Sequence, residues 1–273
     1  MTEVATRKSA AAALARYYDL DLIDDPGDLA LYEALATRTG GPILEFAAGT
    51  GRLAVPLAAA GHAVTALDID EAMLARAGGA WSATQRSKRA VRRGNLTLVE
   101  ADLLTASLPD RFALAILALN SLLLLGDCGR QSGALAALAR HLLPDGVAVI
   151  DIWLPGADDL ALYDGRLILE WLRDDGETGR RVSKVAGASH DGATATVTLT
   201  QIFDSWPVGG GPVERVERVD RMRLVGADEL VAMAEAAGLE VERLAGDYAM
   251  NPFGYGSERA ILLAHPKPGR TLV

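Results

Sequence analysis

The segment Ile43-Leu-Glu-Phe-Ala-Ala-Gly-Thr-Gly-Arg-Leu-Ala54 decides the fold. Its first four residues, Ile43 to Phe46, make a short apolar run with one acid, Glu45, inside it. A run of this kind reads as a buried strand. It opens into a turn carrying Gly49 and Gly51, and an amphipathic helix is predicted from about Arg52 to Ala60. Strand, glycine turn and helix in that order let a ligand approach the backbone closely, and the helix N-terminus offers free N–H groups. The expected occupant is a nucleotide-like cofactor.

The same grammar continues after the helix. Gly61-His62 closes it, and Ala63–Leu67 reads as a second strand. A helix is predicted over Asp70–Ala77, with the polar, basic stretch Ser82–Gly94 as an exposed extension. Leu96–Val99 is a third strand, and Phe112–Leu119 a fourth that is apolar as far as Leu119, as expected when both faces of a sheet are covered. Gln131–Leu143 reads as a helix stopped by Pro144-Asp145-Gly146, and Val147–Trp153 as a fifth strand. Strands alternating with helices predict an α/β fold with a parallel, doubly wound sheet.

Beyond Arg166 the helical period disappears. Arg166–Trp171, Arg181–Ala186, Thr194–Phe203 and Glu214–Leu224 read as antiparallel strands. They are joined by turns such as Asp174-Asp175-Gly176, Asp191-Gly192 and Gly209-Gly210-Gly211. A helix returns at Asp228–Ala237 with Gly238 as its stop, followed by strands near Glu240–Ala245 and Arg259–Ala264. The expected organisation is a cofactor domain of residues 1–154 and 225–273, with residues 155–224 as an antiparallel β insertion.

Composition narrows the class. Of 273 residues, 50% are hydrophobic and 23% charged, which reads as a globular protein. The net charge of −9 disfavours nucleic acid or an anionic membrane as partner, because both need a basic surface. The single cysteine, Cys128, allows no intrachain disulfide, and no secretory signal is read near Arg7 and Lys8, so a cytoplasmic location is expected. The longest apolar segment, Phe112 to Leu125, is interrupted by Asn120 and Ser121 and is short of the roughly 20 residues a spanning helix needs.

The glycine turn has two readings. Gly49-x-Gly51-x-x-Ala54 satisfies the dinucleotide pattern, and Asp68 follows Gly49 by 19 residues, where a ribose-binding acid belongs, so an NAD-dependent oxidoreductase is a live alternative. Three features favour a different cofactor. Glu45 inside the strand would repel a pyrophosphate and welcome a cation. A second acid, Asp102, ends the third strand in Val99-Glu-Ala-Asp-Leu103. The segment Leu142 to Asp151 reads as helix end, tight turn and buried strand.

Together these pieces resemble the class I S-adenosylmethionine-dependent methyltransferases, from about Tyr17 to Trp153. The resemblance rests on Glu45-Phe-Ala-Ala-Gly-Thr-Gly-Arg52, Val64 to Leu74, Val99 to Leu103, Phe112 to Leu122 and the turn Leu143-Pro-Asp-Gly146 with the strand from Val147. It implies a Rossmann-like, seven-stranded α/β sheet, with the antiparallel insertion as a lid over the substrate. It also implies S-adenosyl-L-methionine as methyl donor and S-adenosyl-L-homocysteine as product. Gly49 and Gly51 would pass under the methionine and ribose, Glu45 would hold the methionyl ammonium, and Asp68 the ribose hydroxyls. Ile69 and Met73 would sandwich the adenine, with Asp102 and the Leu103 backbone reading its edge. Arg52 either pairs with the methionyl carboxylate or is a solvated first-turn residue. One departure stands out: Ala47 occupies the place of the motif's first glycine, and a positive φ there would strain it.

Ligands of an open parallel sheet bind outside the carboxyl ends of its strands. That rule nominates Asn120 and Ser121, Trp153, and the loop Gly246–Gly256 with Tyr248, Asn251 and Tyr255 as acceptor-site residues. Tyr17-Tyr18 resembles the aromatic pair that closes over the cofactor in small-molecule members, or belongs to an amphipathic helix packing its rings. Tyr18 and Asn120 are the candidate catalytic residues, Asn120 also a cofactor contact, and Asp151 a further candidate base. The four histidines, His62, His141, His190 and His265, lie in turns or at element ends away from this edge. No metal is expected, because Asp151 alone does not supply enough oxygen ligands. The expected protein is a cytoplasmic small-molecule methyltransferase of secondary metabolism, acting on N, O or C. A homodimer through the inserted sheet is expected, and a non-catalytic cofactor-binding protein is the remaining alternative.

Overall fold

The computed structural model describes residues 3–24, 26–87 and 94–268. The chain divides into two compact units. The larger spans Pro26–Leu154 and Val225 onward and holds a seven-stranded sheet. Its strands are β1 (Ile43–Phe46), β2 (Ala63–Asp68), β3 (Asn95–Glu100), β4 (Phe112–Leu117), β5 (Leu142–Trp153), β10 (Leu239–Ala245) and β11 (Arg259–Pro266). They lie in the order β10-β11-β5-β4-β1-β2-β3, parallel from β3 through β5, with β11 antiparallel to both β5 and β10. The expected doubly wound sheet is therefore present. The chain leaves β1 for β2 on one side, while β4 pairs on its other side, so the topological switch point lies between β1 and β4.

Local chemistry explains most elements. Every residue of β4 is buried, which its unbroken apolar run requires. Helix α4 (Glu71–Arg86) starts at Asp70, whose side chain accepts from the Ala72 and Met73 N–H groups at 2.8 and 3.3 Å. It runs through Ser82 to Arg86, so the first part of the stretch expected as an exposed extension or loop is helical; of the rest of that stretch, residues 88–93 lie outside those described. Helix α5 (Cys128–His141) is capped by Asp127 on the Arg130 N–H at 2.9 Å and ends on Arg140 and His141, matching the helix dipole. The Pro144-Asp145-Gly146 turn is not a break between helix and strand but an irregularity inside β5: Phe112 pairs with Leu142, and regular pairing resumes at Leu114 with Val147.

Helix α2 (Leu29–Thr39) has no counterpart in the sequence reading. Its buried Leu31, Tyr32, Leu35 and Ala36 form a helical stripe, and Gly40 ends it at φ +66° with its N–H on the Ala36 carbonyl. Helix α3 (Ala54–Ala59) follows the glycine turn, and α7 (Ala227–Ala236) packs beside β10. One glycine here is sterically obligatory. A Cβ on Gly94 would lie 1.9 Å from the His62 carbonyl oxygen and 2.7 Å from that of Ala58. Gly94→Ala should therefore cost about 2–3 kcal/mol through a forced backbone shift, read as a lower urea midpoint at unchanged slope.

The smaller unit combines α1 (Glu3–Asp21) with Pro155–Leu224. It contains the short α6 (Ala157–Leu162) and a four-stranded antiparallel meander: β6 (Ile168–Asp175), β7 (Arg180–Asp191), β8 (Thr196–Pro207) and β9 (Glu214–Arg223). The expected division differs in one place: α1 had been assigned with residues 1–154 to the cofactor domain, and it packs instead with the meander. Tyr17 stacks on Phe203 at a centroid distance of 5.1 Å, beside Val182. Asp21 accepts from the Lys184 ammonium at 2.6 Å and the Trp171 indole at 2.8 Å, and Arg16 pairs with buried Asp175 at 2.7 Å. These pairings link positions about 150 residues apart, which no periodicity can announce.

Candidate active site

Six strand ends build the candidate site, the carboxyl ends of β1 to β5 and the start of β11 in the larger unit. At the first, Glu45 is buried in β1, and among the described residues its Oε2 has no hydrogen-bond partner. Burial pushes the Glu45 carboxyl up to about 8, although Arg52 and the Ala54 backbone N–H pull the other way. An unpartnered carboxylate oxygen inside a protein is costly unless a cation meets it.

The turn after β1 is a run of unusual backbone. Ala47, Gly49 and Gly51 have φ of +51°, +55° and +81°. A Cβ on Gly51 would lie 2.9 Å from that of Ala77, so the turn is pressed against α4. Ala47 occupies the left-handed region, the strained case, rather than a turn altered to negative φ, and its neighbour Ala48 donates to the Leu67 carbonyl at 3.0 Å. An alanine there is strained by about 1 kcal/mol. Ala47→Gly should leave stability unchanged or raise it by up to about 1 kcal/mol, since relief of strain competes with greater freedom of the unfolded chain. Thermal melts with and without S-adenosylhomocysteine check this; a loss above 1 kcal/mol would exclude strain at Ala47.

At the end of β2, Asp68 is fixed by two backbone donors. Its Oδ2 accepts from Gly49 N–H at 2.7 Å and its Oδ1 from Asp70 N–H at 2.9 Å. Each carboxylate oxygen keeps a lone pair for a further donor. The next residue, Ile69, is 68% exposed, an apolar side chain in the open beside that carboxylate, while Met73 is buried in the first turn of α4. Past β3, Asp102 holds the Leu104 N–H at 2.9 Å, and Leu103 is buried.

Arg52 is not a solvated helix residue. Its guanidinium closes bidentately on buried Asp28 at 2.5 and 2.7 Å, so its fork is taken up by the protein rather than left open for a ligand carboxylate. The hydroxyl of Tyr32 on α2 is also buried without a partner among the described residues, and burial raises it well above the usual phenol range.

The ends of β4, β5 and β11 carry a second cluster. Asp151 is buried, with Arg259 Nε and Nη2 donating to Oδ1 at 2.8 and 2.6 Å. Its Oδ2 accepts from the Tyr248 hydroxyl at 3.0 Å and the Leu119 N–H at 3.3 Å. Burial raises the Asp151 carboxyl while Arg259 opposes it, and burial also raises the Tyr248 phenol. With four donors on it, Asp151 is not a free base. Asn120 accepts from the Trp153 N–H at 2.6 Å, Ser121 Oγ donates to the Ala118 carbonyl at 2.7 Å, and Asn251 is tied to Asp247 in a turn at 2.7 Å. Tyr248, Asn251, Tyr255 and Arg259 line an open depression of about 360 Å³ with Asp247 and Glu258 at its rim.

Of the expected site residues, Tyr17 and Tyr18 belong to α1 in the smaller unit, where the Tyr17 ring is a core residue. The packing alternative for this pair describes Tyr17. The histidines serve structure: His141 is buried, its Nδ1 on the Ala137 carbonyl at 2.7 Å and its Nε2 accepting from Leu108 N–H at 3.2 Å. His265 bridges the Gly146 carbonyl and Glu242. Asp28, Tyr32 and Arg259 were not singled out from the sequence; a charged residue heading the apolar run Ala260–Ala264 was the one available hint.

Residues 43–146 match a family model described as a methyltransferase domain. The matched segment runs from β1 through the Pro144-Asp145-Gly146 turn and is similar to a methyltransferase domain, and the fold is one shared with S-adenosylmethionine-dependent methyltransferases. A search of curated proteins gave no match. Among solved structures, an S-adenosylmethionine-dependent methyltransferase from Clostridium acetobutylicum ATCC 824 superposes with a TM-score of 0.73 at 18% identity, over 93% of this chain and 98% of that one. The sugar N-methyltransferase KedS8 from Streptoalloteichus sp ATCC 53650 gives 0.68 at 23%, over 92% of each chain. CalS10, an amino pentose methyltransferase from Micromonospora echinaspora involved in calicheamicin biosynthesis, gives 0.66 at 20%, over 92% and 97%.

Proposed function

We propose that this enzyme methylates an amine on a small, hydroxylated acceptor of the aminodeoxy-sugar kind. The observation that carries the cofactor assignment is the buried, unpartnered Glu45 oxygen beside the positive-φ turn. Glu45 would hold the methionyl ammonium, Asp68 the ribose hydroxyls, Ile69 and Met73 the adenine, and Asp102 with Leu103 its edge. When bound, the cofactor supplies an electrophilic methyl on a sulfonium. The protein's part is to align the nucleophile with that methyl and exclude water.

The choice of an amine rests on what the titratable groups are already doing. Asp151 is saturated by four donors, and His141 and His265 are engaged elsewhere in the unit. A nucleophile that is neutral near pH 7 needs little help in losing a proton. The depression at Tyr248 and Tyr255, with Asp247 and Glu258 at hand, offers aromatic faces to a sugar ring and carboxylates to its hydroxyls. The names of KedS8 and CalS10 point the same way. In this reading the inserted meander is the lid, and Tyr18, Ser121, Trp153 and Asn251 remain candidate acceptor contacts.

Leu169, Leu172 and Val219 share one face of the meander and are 63%, 52% and 59% exposed, which supports pairing of two copies there. Sedimentation at micromolar concentration tests that pairing. The acceptor reading is tested by incubating the enzyme with S-adenosylmethionine and amino sugars, phenols or activated carbon acids. Mass spectrometry should show one added methyl on the amino sugars. Methylation of the phenols alone would overturn the amine assignment.

A further inference from the structure

Leu119 and Asn120 are two successive non-glycine residues in the left-handed region, at φ +46° and +64°. Such pairs persist only where surrounding structure over-determines them. Here the surroundings are Asp151 and Arg259. The Asp151 carboxylate takes the Leu119 N–H, and the Asp151 backbone carbonyl takes the Asn120 N–H at 3.2 Å. Arg259 holds that carboxylate with two nitrogens and extends Nη2 to Asn120 Oδ1 at 3.4 Å, while the Trp153 N–H reaches the same oxygen at 2.6 Å. The Tyr248 hydroxyl completes the carboxylate's shell, and its ring lies 5.0 Å from the Arg259 guanidinium carbon.

This pattern fixes the Asn120 amide. Both groups that meet its oxygen, a backbone N–H and a guanidinium, can only donate. The side-chain oxygen must therefore face Trp153 and Arg259, and the NH2 group is the end presented to a ligand. Asn120 follows β4 by as many residues as Gly49 follows β1, and Leu117 pairs with Phe46, so Asn120 and the glycine turn leave neighbouring strands at the switch point. The Arg52 fork, the other candidate for an anionic ligand group, is closed on Asp28.

We propose that Asp151 and Arg259 are a positioning pair that locks the Leu119–Asn120 turn and aims the Asn120 NH2 at an oxygen of the cofactor's methionyl carboxylate. The pair acts through Asn120 and touches no reacting atom. Asn120 is then a donor, and it cannot serve as a base. The inference rests on the methyltransferase reading of the site.

Asn120→Asp keeps an acceptor for Trp153 and Arg259 and replaces the outward donor with an acceptor. Arg259→Lys keeps the charge on Asp151, but one ammonium cannot span Asp151 and Asn120 as the guanidinium does. In 15N-labelled protein, the Asn120 side-chain amide pair, assigned by its absence in Asn120→Asp, should shift when S-adenosylhomocysteine is added. By calorimetry, Asn120→Asp should bind S-adenosylhomocysteine about 10-fold more weakly at a near-native melting temperature, about 1.4 kcal/mol. Arg259→Lys should lose a similar factor and move the same amide pair. In the Asn120→Asp background, Arg259→Lys should add little, because the two act as one unit.

A wild-type Asn120 amide that ignores the ligand while the Gly49 N–H responds would overturn the proposal and leave the methyltransferase reading intact. Unchanged affinity in Asn120→Asp, or fully additive losses in the double variant, would also overturn it. No binding of S-adenosylhomocysteine by the wild type would remove both. If Arg259→Lys fails to fold, Asn120→Asp and the amide shift decide the question alone.

Discussion

Glu45→Gln is expected to stabilise the empty protein at pH 8 and to remove most of its affinity for S-adenosylhomocysteine. The carboxyl is pushed up to about 8 by burial, against 4.5 for the unfolded chain. A group raised on folding contributes stability that is fully present below its unfolded value and is lost as pH rises through the folded one. For Glu45 the window is pH 4.5 to 8, and the loss amounts to up to about 5 kcal/mol across it. Glutamine has no such titration and keeps an oxygen for the Ala54 N–H. The gap in melting temperature between variant and wild type should widen between pH 5 and pH 8.

Ligand binding should follow the opposite slope. The ionised fraction of Glu45 rises from about 1% at pH 6 to about half at pH 8, so wild-type affinity for the ammonium of S-adenosylhomocysteine should climb roughly 50-fold. The variant should show no such climb and should bind about 100-fold more weakly at pH 8, within the 2–5 kcal/mol typical of a truncated buried charge pair. Calorimetry from pH 6 to pH 8.5 reads both. A pH-independent wild-type affinity, or native affinity in Glu45→Gln, would sink the assignment of Glu45 as the ammonium site.

The second large effect is expected at Asp68. In Asp68→Ala the Gly49 and Asp70 N–H groups lose their acceptor, which should cost about 1–2 kcal/mol of stability. The ribose hydroxyls lose a charged acceptor as well, each such bond being worth about 1.5–3 kcal/mol, so affinity should fall about 100-fold or more. A ligand lacking one ribose hydroxyl separates the two contributions. Wild type should discriminate against it, and Asp68→Ala should bind it and its parent alike. Retained discrimination in the variant would move the ribose site away from Asp68.

Much of the fold was legible because its signals are local. Buried parallel strands such as Phe112–Leu117 show as apolar runs, the glycine turn as a short string, and the meander as two-residue alternation. Glu45 and Asp68 were legible for the same reason: each sits at a set step from the glycines. The pairing of Arg52 was not legible, because its partner Asp28 stands 24 residues away with no pattern joining them. The union of α1 with the meander was invisible too, because Tyr17 and Phe203, which stack in the fold, stand far apart in the chain with no periodicity joining them.

The first string, Ile43 to Ala54, by itself determined a strand and a glycine turn, while the acid inside it tilted the cofactor reading only together with Asp68, Asp102 and the later strands. It also marked Ala47 as the anomaly. Tertiary structure decided that Ala47 has positive φ, that Arg52 is closed on Asp28, and that Glu45 is dry enough to hold its proton to about 8. It also decided that Asp151, read as a spare base, is a saturated anchor held by Arg259 from 108 residues away. Residue type sets what a side chain can donate or accept. Which of those capacities remain for a ligand depends on partners that only packing brings within hydrogen-bond reach.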